Sequence, residues 1–387
     1  MDWNEIVEFG RMHRGKDVAT LALKASELSG ETLVLALQQV AGHRIALEKL
    51  PLWAATEGIV YGPQLAMEQC SSQATALYKA ALVAGESIAD LTGGLGVDFS
   101  FMARGLARAT YVERQPLLCD IARHNFNVLG LNAMVVNGDG VEHLKSMPQT
   151  DTIYIDPARR DKAGNRVFAL ADCTPDVASL APLMLDKART VIIKLSPMLD
   201  HHNAVAQLPC VEQVHILSVH GECKEMLLVL RRGYTGNVTV HCVNDDELMQ
   251  FALGDEIALP TVWDNAGIPP FVHEPNASIM KAGAFNLLAC RQCMSVMSKD
   301  SHLLVSKSIA PDFPGRSFAV DQLSTMNKKE LKAFMQGVTR ANVMVRNFPL
   351  RANELARRLR VADGGDLYII GTTTATGRHI LLKAHRL

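Results

Sequence analysis

The stretch Ser87-Ile-Ala-Asp90-Leu-Thr92-Gly93-Gly94-Leu-Gly96-Val-Asp98 constrains the fold of this chain more than any other. It reads as a short apolar strand that ends in an acid and turns through three glycines into a helix. Glycines at such a turn let the backbone approach a ligand more closely than side chains would permit. Three further strands end in acids: Ala109 to Glu113, Ala133 to Asp139, and Thr152 to Asp156, the last followed by Pro157-Ala-Arg159-Arg160. Their separations suit βαβ units and hence a parallel sheet covered on both faces. One strand-end carboxylate is ordinarily a helix cap or a solvated loop residue. Four on consecutive strands point instead to a ligand across the carboxyl edge of the sheet.

Three more strands are expected over 190–194, 213–219 and 225–230. Only residues 220–224 separate the last two, too few for a parallel crossover, so they form an antiparallel hairpin. The resulting organisation is a helical N-terminal region (1–83), a doubly wound Rossmann-like domain (84–233), a connecting α+β region (234–315) and a C-terminal domain (316–387). Within the N-terminal region, 17–25, 30–46 and 65–82 carry apolar residues at helical spacing. A helix is expected around 279–294, and the C-terminal domain sketches as βαβαββ.

Composition excludes several classes. No apolar run approaches the roughly twenty residues that span a bilayer, and the acidic start Met1-Asp-Trp-Asn-Glu5 lacks a signal peptide's pattern. The eight cysteines are scattered apart from Cys290 and Cys293, which fits reduced thiols in a cytoplasm. That single CxxC reads as one buried helix face, and no metal site is expected. From Arg316 to Leu387 thirteen Lys or Arg face five Asp or Glu, a net of +8 in a chain whose total is −1. Such segregation gives one end of the molecule a field suited to a polyanion, although a solvated basic surface would look the same.

The glycine turn separates two cofactor classes. A nicotinamide fingerprint requires a third glycine for helix–strand packing, and here Gly96 is followed by Val97, Asp98 and Phe99. A pyrophosphate would also gain nothing from Asp90. S-adenosylmethionine (SAM) has no phosphate and carries a cationic ammonium and sulfonium, so an acid beside an open glycine turn suits it. Asp90, Thr92, Gly93, Gly94 and Gly96 then form the cofactor turn. Glu113 is placed to accept from the ribose hydroxyls and Asp139 from the adenine amino group.

With these residues the chain resembles the class I SAM-dependent methyltransferases. More narrowly, it resembles a bacterial group with a helical N-terminus and a C-terminal THUMP-like domain. The resemblance rests on Asp90 to Gly96, Tyr111-Val-Glu113-Arg114, Ala122-Arg-His-Asn125, Asn137-Gly-Asp139-Gly140 and, most specifically, Asp156-Pro157-Ala-Arg159-Arg160. It implies a seven-stranded methyltransferase sheet and a ferredoxin-like/THUMP-like C-terminal domain. It also implies a pre-motif segment, Met67 to Ala76, whose Gln69, Ser72 and Thr75 cover the methionine end of the cofactor.

Asp156-Pro157 is similar to the Asp/Asn-Pro-Pro-aromatic motif of amino-methylating enzymes, in which the acid and a backbone carbonyl hold the amino group. Ala158 and Arg159 depart from that motif. Arg159 can stack through its guanidinium plane, or Arg159 and Arg160 can instead hold phosphate through bidentate contacts, and a surface ion-pair loop is the plain alternative. Lys194, a charge ending an apolar strand, either contacts an anionic substrate or snorkels. Uracil-C5 methylation needs a cysteine after the fifth strand, where this chain has Lys194-Leu-Ser196-Pro197. The basic C-terminal domain, through Arg346, Arg351, Arg357, Arg358 and Arg360, fits sequence-independent RNA affinity. The expected function is therefore methylation of a base nitrogen in structured RNA, tRNA or rRNA, in the cytoplasm, with no obligate protein partner evident. A small-molecule or protein methyltransferase, and a non-catalytic RNA-binding protein with a vestigial fold, are the alternatives.

Overall fold

A computed structural model describes residues 3–24, 28, 30–159, 170, 173–263 and 267–387. The chain divides into two compact units, one of residues 1–214 with 225–236 and one of 215–224 with 237–387.

Along residues 87–231 the strands are β1 (Ser87–Asp90), β2 (Arg108–Glu113), β3 (Met134–Asn137), β4 (Thr150–Ile155), β5 (Ala158–Arg159), β6 (Cys173–Thr174), β7 (Ala188–Leu195), β8 (Val211–Val219) and β9 (Glu222–Arg231), all within the first unit except residues 215–219 of β8 and 222–224 of β9. Seven of them stand side by side in the order β3-β2-β1-β4-β7-β9-β8, and the sheet continues past β8 to nine strands, two more than the sequence led one to expect. β1, β2, β3, β4 and β7 are parallel, and β9 runs antiparallel to β7. The hairpin read from five intervening residues is present, and it reverses the final strand as expected. Val191, Ile192 and Ile193 of β7 are all buried, as a strand covered on both faces requires.

Helix Pro116–Val128 follows β2, with proline in its first turn where a missing N–H costs nothing. It buries Leu118, Ile121, Ala122, Asn125 and Phe126 at helical spacing. Asn125 both donates to Val60 O and accepts from Val60 N, each at 2.8 Å. Gln39 of helix Gly30–Lys49 does the same for the next residues, donating to Ile59 O at 2.6 Å and accepting from Tyr61 N at 2.8 Å. Two buried amides thus clamp an extended segment against the sheet domain. Residues 65–82 make two helices, Gln64–Gln69 and Gln73–Leu82, where sequence spacing suggested one. Ser72 causes the break, its hydroxyl capping the second helix by accepting from Thr75 N at 3.3 Å.

The second unit contains β10 (Thr239–Asn244), β11 (Glu247–Ala252), β12 (Phe271–Pro275), β13 (Ser295–Val296), β14 (Leu304–Ser306), β15 (Gly315–Ser324), β16 (Asn342–Arg346), β17 (Leu367–Thr373) and β18 (His379–Arg386). β12 to β18 form a sheet ordered β13-β14-β12-β15-β18-β17-β16. The βαβαββ order over 315–386 is as expected, with helices Lys328–Phe334 and Ala352–Leu359. Phe334, Leu355 and Leu359 of these helices pack against Ile369 and Leu381 on one face. The helix expected around 279–294 is broken into Ala277–Ala282 and Phe285–Arg291. Cys290 and Cys293 are therefore exposed rather than on a buried face, because the helix ends between them. Among the described residues no helix is long and apolar enough to cross a membrane.

Candidate active site

The four expected acids stand at consecutive strand ends of one sheet. Asp90 closes β1 and is 1% exposed. Its Oδ1 accepts the Thr92 N–H at 2.9 Å. Burial, reinforced by the nearby charges of Asp98 and Asp156, pushes its pKa up to about 8, against the Thr92 hydrogen bond. Thr92 Oγ1 in turn accepts the Asp156 N–H at 2.7 Å, which ties the first strand end to the fourth.

The glycines hold the turn for two separate reasons. A Cβ on Gly93 would stand 2.2 Å from the buried Tyr111 ring, so this position must be bare for packing. Gly94 has φ +58° and no atom closer than Thr92 O at 3.9 Å, so its bare face is open. Glu113 reaches across from β2, accepting Gly94 N–H at 2.9 Å and Gln115 N–H at 2.8 Å on its two oxygens. A carboxylate has about four acceptor sites, which leaves capacity for hydroxyl donors. Asp139 caps helix Gly140–Ser146 by accepting Val141 N–H and Glu142 N–H on Oδ1 alone. It is exposed, so capping and a second hydrogen bond through Oδ2 are compatible.

Beneath Asp156 lies a closed cluster of charges. Lys194 Nζ is 2.7 Å from Asp156 Oδ2, 3.2 Å from Ser71 Oγ and 3.6 Å from Asp98 Oδ2. Lys79, fully buried, binds Glu225 Oε1 at 2.5 Å, Ser71 Oγ at 2.9 Å and Asp98 Oδ1 at 3.1 Å. Tyr154 donates to Asp98 Oδ2 at 2.8 Å. Burial opposes the charge on Asp98, yet Lys79 and Lys194 outweigh it and hold its pKa down to about 2. Burial likewise opposes the Lys194 ammonium, but Asp156, Asp98 and Glu225 hold its pKa well above the ordinary lysine value.

A solved structure from Porphyromonas gingivalis W83, provisionally assigned as a methyltransferase, is 31% identical with a TM-score of 0.88, covering 98% of this chain and 97% of its own. The chain belongs to that methyltransferase family. An uncharacterised S-adenosylmethionine-dependent methyltransferase of Mycobacterium tuberculosis, from strains CDC 1551 and H37Rv, is 24% identical over 327 residues. That match covers 81% of this chain and 84% of the relative. A family model described as THUMP domain-like matches residues 315–386, and one described as a ferredoxin-like domain matches 271–314. The protein is thus a class I SAM-dependent methyltransferase with a C-terminal THUMP-like domain, and its cofactor is SAM.

The donor set of this methyltransferase fits that cofactor. A buried carboxylate with a raised pKa gains a cationic partner, and the open face of Gly94 beside Glu113 leaves room for the nucleoside. Ser72 and Thr75 bond chiefly to each other as a helix cap, and Gln69 is exposed at the end of its helix. Lys194, expected to meet substrate or to snorkel, has its ammonium beside Asp156, Asp98 and Ser71. Arg160 lies outside the described residues, and Arg159 is described by its backbone only, which pairs with Cys173. Sequence reasoning missed Ser71, Lys79 and Glu225. A lysine inside the apolar helix Gln73–Leu82, and a glutamate heading the apolar run Met226 to Leu230, were the available signals.

Proposed function

We propose that the protein methylates a base nitrogen of structured RNA. The observation carrying this reading is Asp156. One of its oxygens is matched by a buried ammonium, whereas Oδ1 has no hydrogen-bond partner among the described residues and the side chain is 40% exposed. A carboxylate so held can accept an N–H from a neutral acceptor nitrogen and stabilise the positive charge that develops there as the nitrogen attacks. SAM supplies the electrophilic methyl. Asp90, Gly93, Gly94, Gly96, Glu113 and Asp139 would hold the cofactor, and Thr92 would carry the Asp156 backbone at a fixed distance from Asp90. Pro157 would stiffen the turn beyond it, with Arg159 and Arg160 contacting substrate. Transfer then depends mainly on orientation of the acceptor about 3 Å from the methyl.

The basic THUMP-like domain supports RNA as the substrate. Arg351, Arg357, Arg358 and Arg360 are exposed along and beyond helix Ala352–Leu359, while Leu355 and Leu359 are buried. Phosphate contacts from such residues give affinity that falls steeply with salt. All eight cysteines are free, which suits the cytoplasm in which such RNA resides. Filter binding of tRNA and rRNA across a salt series, with transfer of labelled methyl from SAM, tests the reading. Salt-sensitive binding and incorporation into one RNA class are expected. Binding that is absent, or incorporation only into protein or a small molecule, would overturn it.

A further inference from the structure

We propose that Lys194 is a positioning residue for methyl transfer. It fixes the Asp156 carboxylate by Oδ2 so that Oδ1 faces the acceptor, a role that rests on the function proposed above. β4 and β7 are paired in parallel with Ile155 opposite Ile193, so the next residues along, Asp156 and Lys194, leave the sheet side by side. A strand-end aspartate that is 40% exposed has little to stop its carboxylate from rotating, because the terminal torsion of this side chain is broad. Lys194 is 15% exposed and cannot follow it into solvent.

The ammonium is aimed from below. Its three donors are directed to Asp156 Oδ2, to Ser71 Oγ, and toward the acids Asp98 and Glu225, whose oxygens lie at 3.6 and 4.0 Å. Those acids are themselves fixed by Lys79. Two ammoniums therefore face three carboxylates, and of the three acids Asp156 is the most exposed. The surplus negative charge is thus presented to the acceptor rather than buried. Removing the Lys194 charge would leave Asp156 beside Asp98 with no cation between them, and repulsion would drive its carboxylate outward.

Three variants, Lys194→Met, Lys194→Gln and Lys194→Arg, test this. Each is compared with wild type in a cofactor-bound crystal structure, in SAM calorimetry, and in methyl transfer to tRNA and rRNA isolated from a strain lacking the gene. Lys194→Gln keeps the buried acids hydrogen-bonded and serves if the Met variant does not fold. In the neutral variants Asp156 should leave its present position or occupy several, and SAM affinity should stay within about twofold. The kcat should fall about 100-fold, the order expected for a misplaced catalytic group, with KM changing less and Lys194→Arg restoring most of the loss. An Asp156 carboxylate that keeps its place without the Lys194 charge would overturn the proposal. If wild type methylates none of these RNAs, the RNA reading fails, and the position of Asp156 in the neutral variants still decides the role of Lys194.

Discussion

Lys79 Nζ lies 2.5 Å from Glu225 Oε1, so helix Gln73–Leu82 is tied to β9 by a salt bridge shut off from solvent. Removing one partner of a buried pair strands the other charge. Lys79→Met is therefore expected to cost about 3–5 kcal/mol of stability, read from urea unfolding. Adding Glu225→Leu should recover part of that loss, because the stranded carboxylate disappears with it. A loss below about 1 kcal/mol would mean the pair is not buried as described.

Asp90 makes stability depend on pH with a definite sign. Its pKa is about 8 in the folded chain and about 3.9 when unfolded, so between those values the folded state binds more protons. Stability should fall as pH climbs from about 4 to 8. Asp90→Asn should remove that slope and gain on wild type at pH 8 relative to pH 5. A cationic cofactor favours the ionised acid, so SAM binding at pH 7 should release a proton. Calorimetry in buffers of different ionisation enthalpy detects it, and Asp90→Asn should abolish the release while weakening binding.

Neighbouring glycines should fail differently. Gly94→Ala puts a Cβ into open space at φ +58°, costing about 1–2 kcal/mol of backbone strain, and should weaken SAM binding more than it lowers Tm. Gly93→Ala drives a Cβ into the Tyr111 ring and should lower Tm severely. Thermal melts with and without SAM separate the two effects.

Arg357 and Arg358 are exposed and form no ion pair among the described residues. If both meet phosphate, the double substitution to alanine should weaken tRNA binding and flatten the salt dependence by about two in log–log slope, roughly one per lost contact. Stability should be unaffected. An unchanged slope would place the RNA on another surface.

The sheet was legible because its signals are local. Each strand is a short apolar run, each parallel crossover carries a helix, and residues 220–224 are too few for anything but a hairpin. Asp90, Glu113, Asp139 and Asp156 were legible because strand ends on a parallel sheet share one edge. The ion cluster was not. Ser71, Lys79, Asp98, Lys194 and Glu225 meet only after two helices and two strands have packed, and no spacing along the chain encodes that meeting. Helix 65–82 was misjudged because apolar periodicity runs through Cys70–Ser72 while the Ser72 cap interrupts it. Strand β12 resisted reading because it pairs with β14 and β15, both distant in sequence, whereas the local hairpin of β10 and β11 was simply overlooked.

The most direct measurement is nucleoside mass spectrometry of RNA from a strain lacking the gene, complemented with wild type or with Asp156→Ala. One N-methylated nucleoside should vanish on deletion, return with the wild-type gene and stay absent with Asp156→Ala. A nucleoside profile that deletion leaves unchanged, or a methyl mark restored by Asp156→Ala, would contradict the central claim.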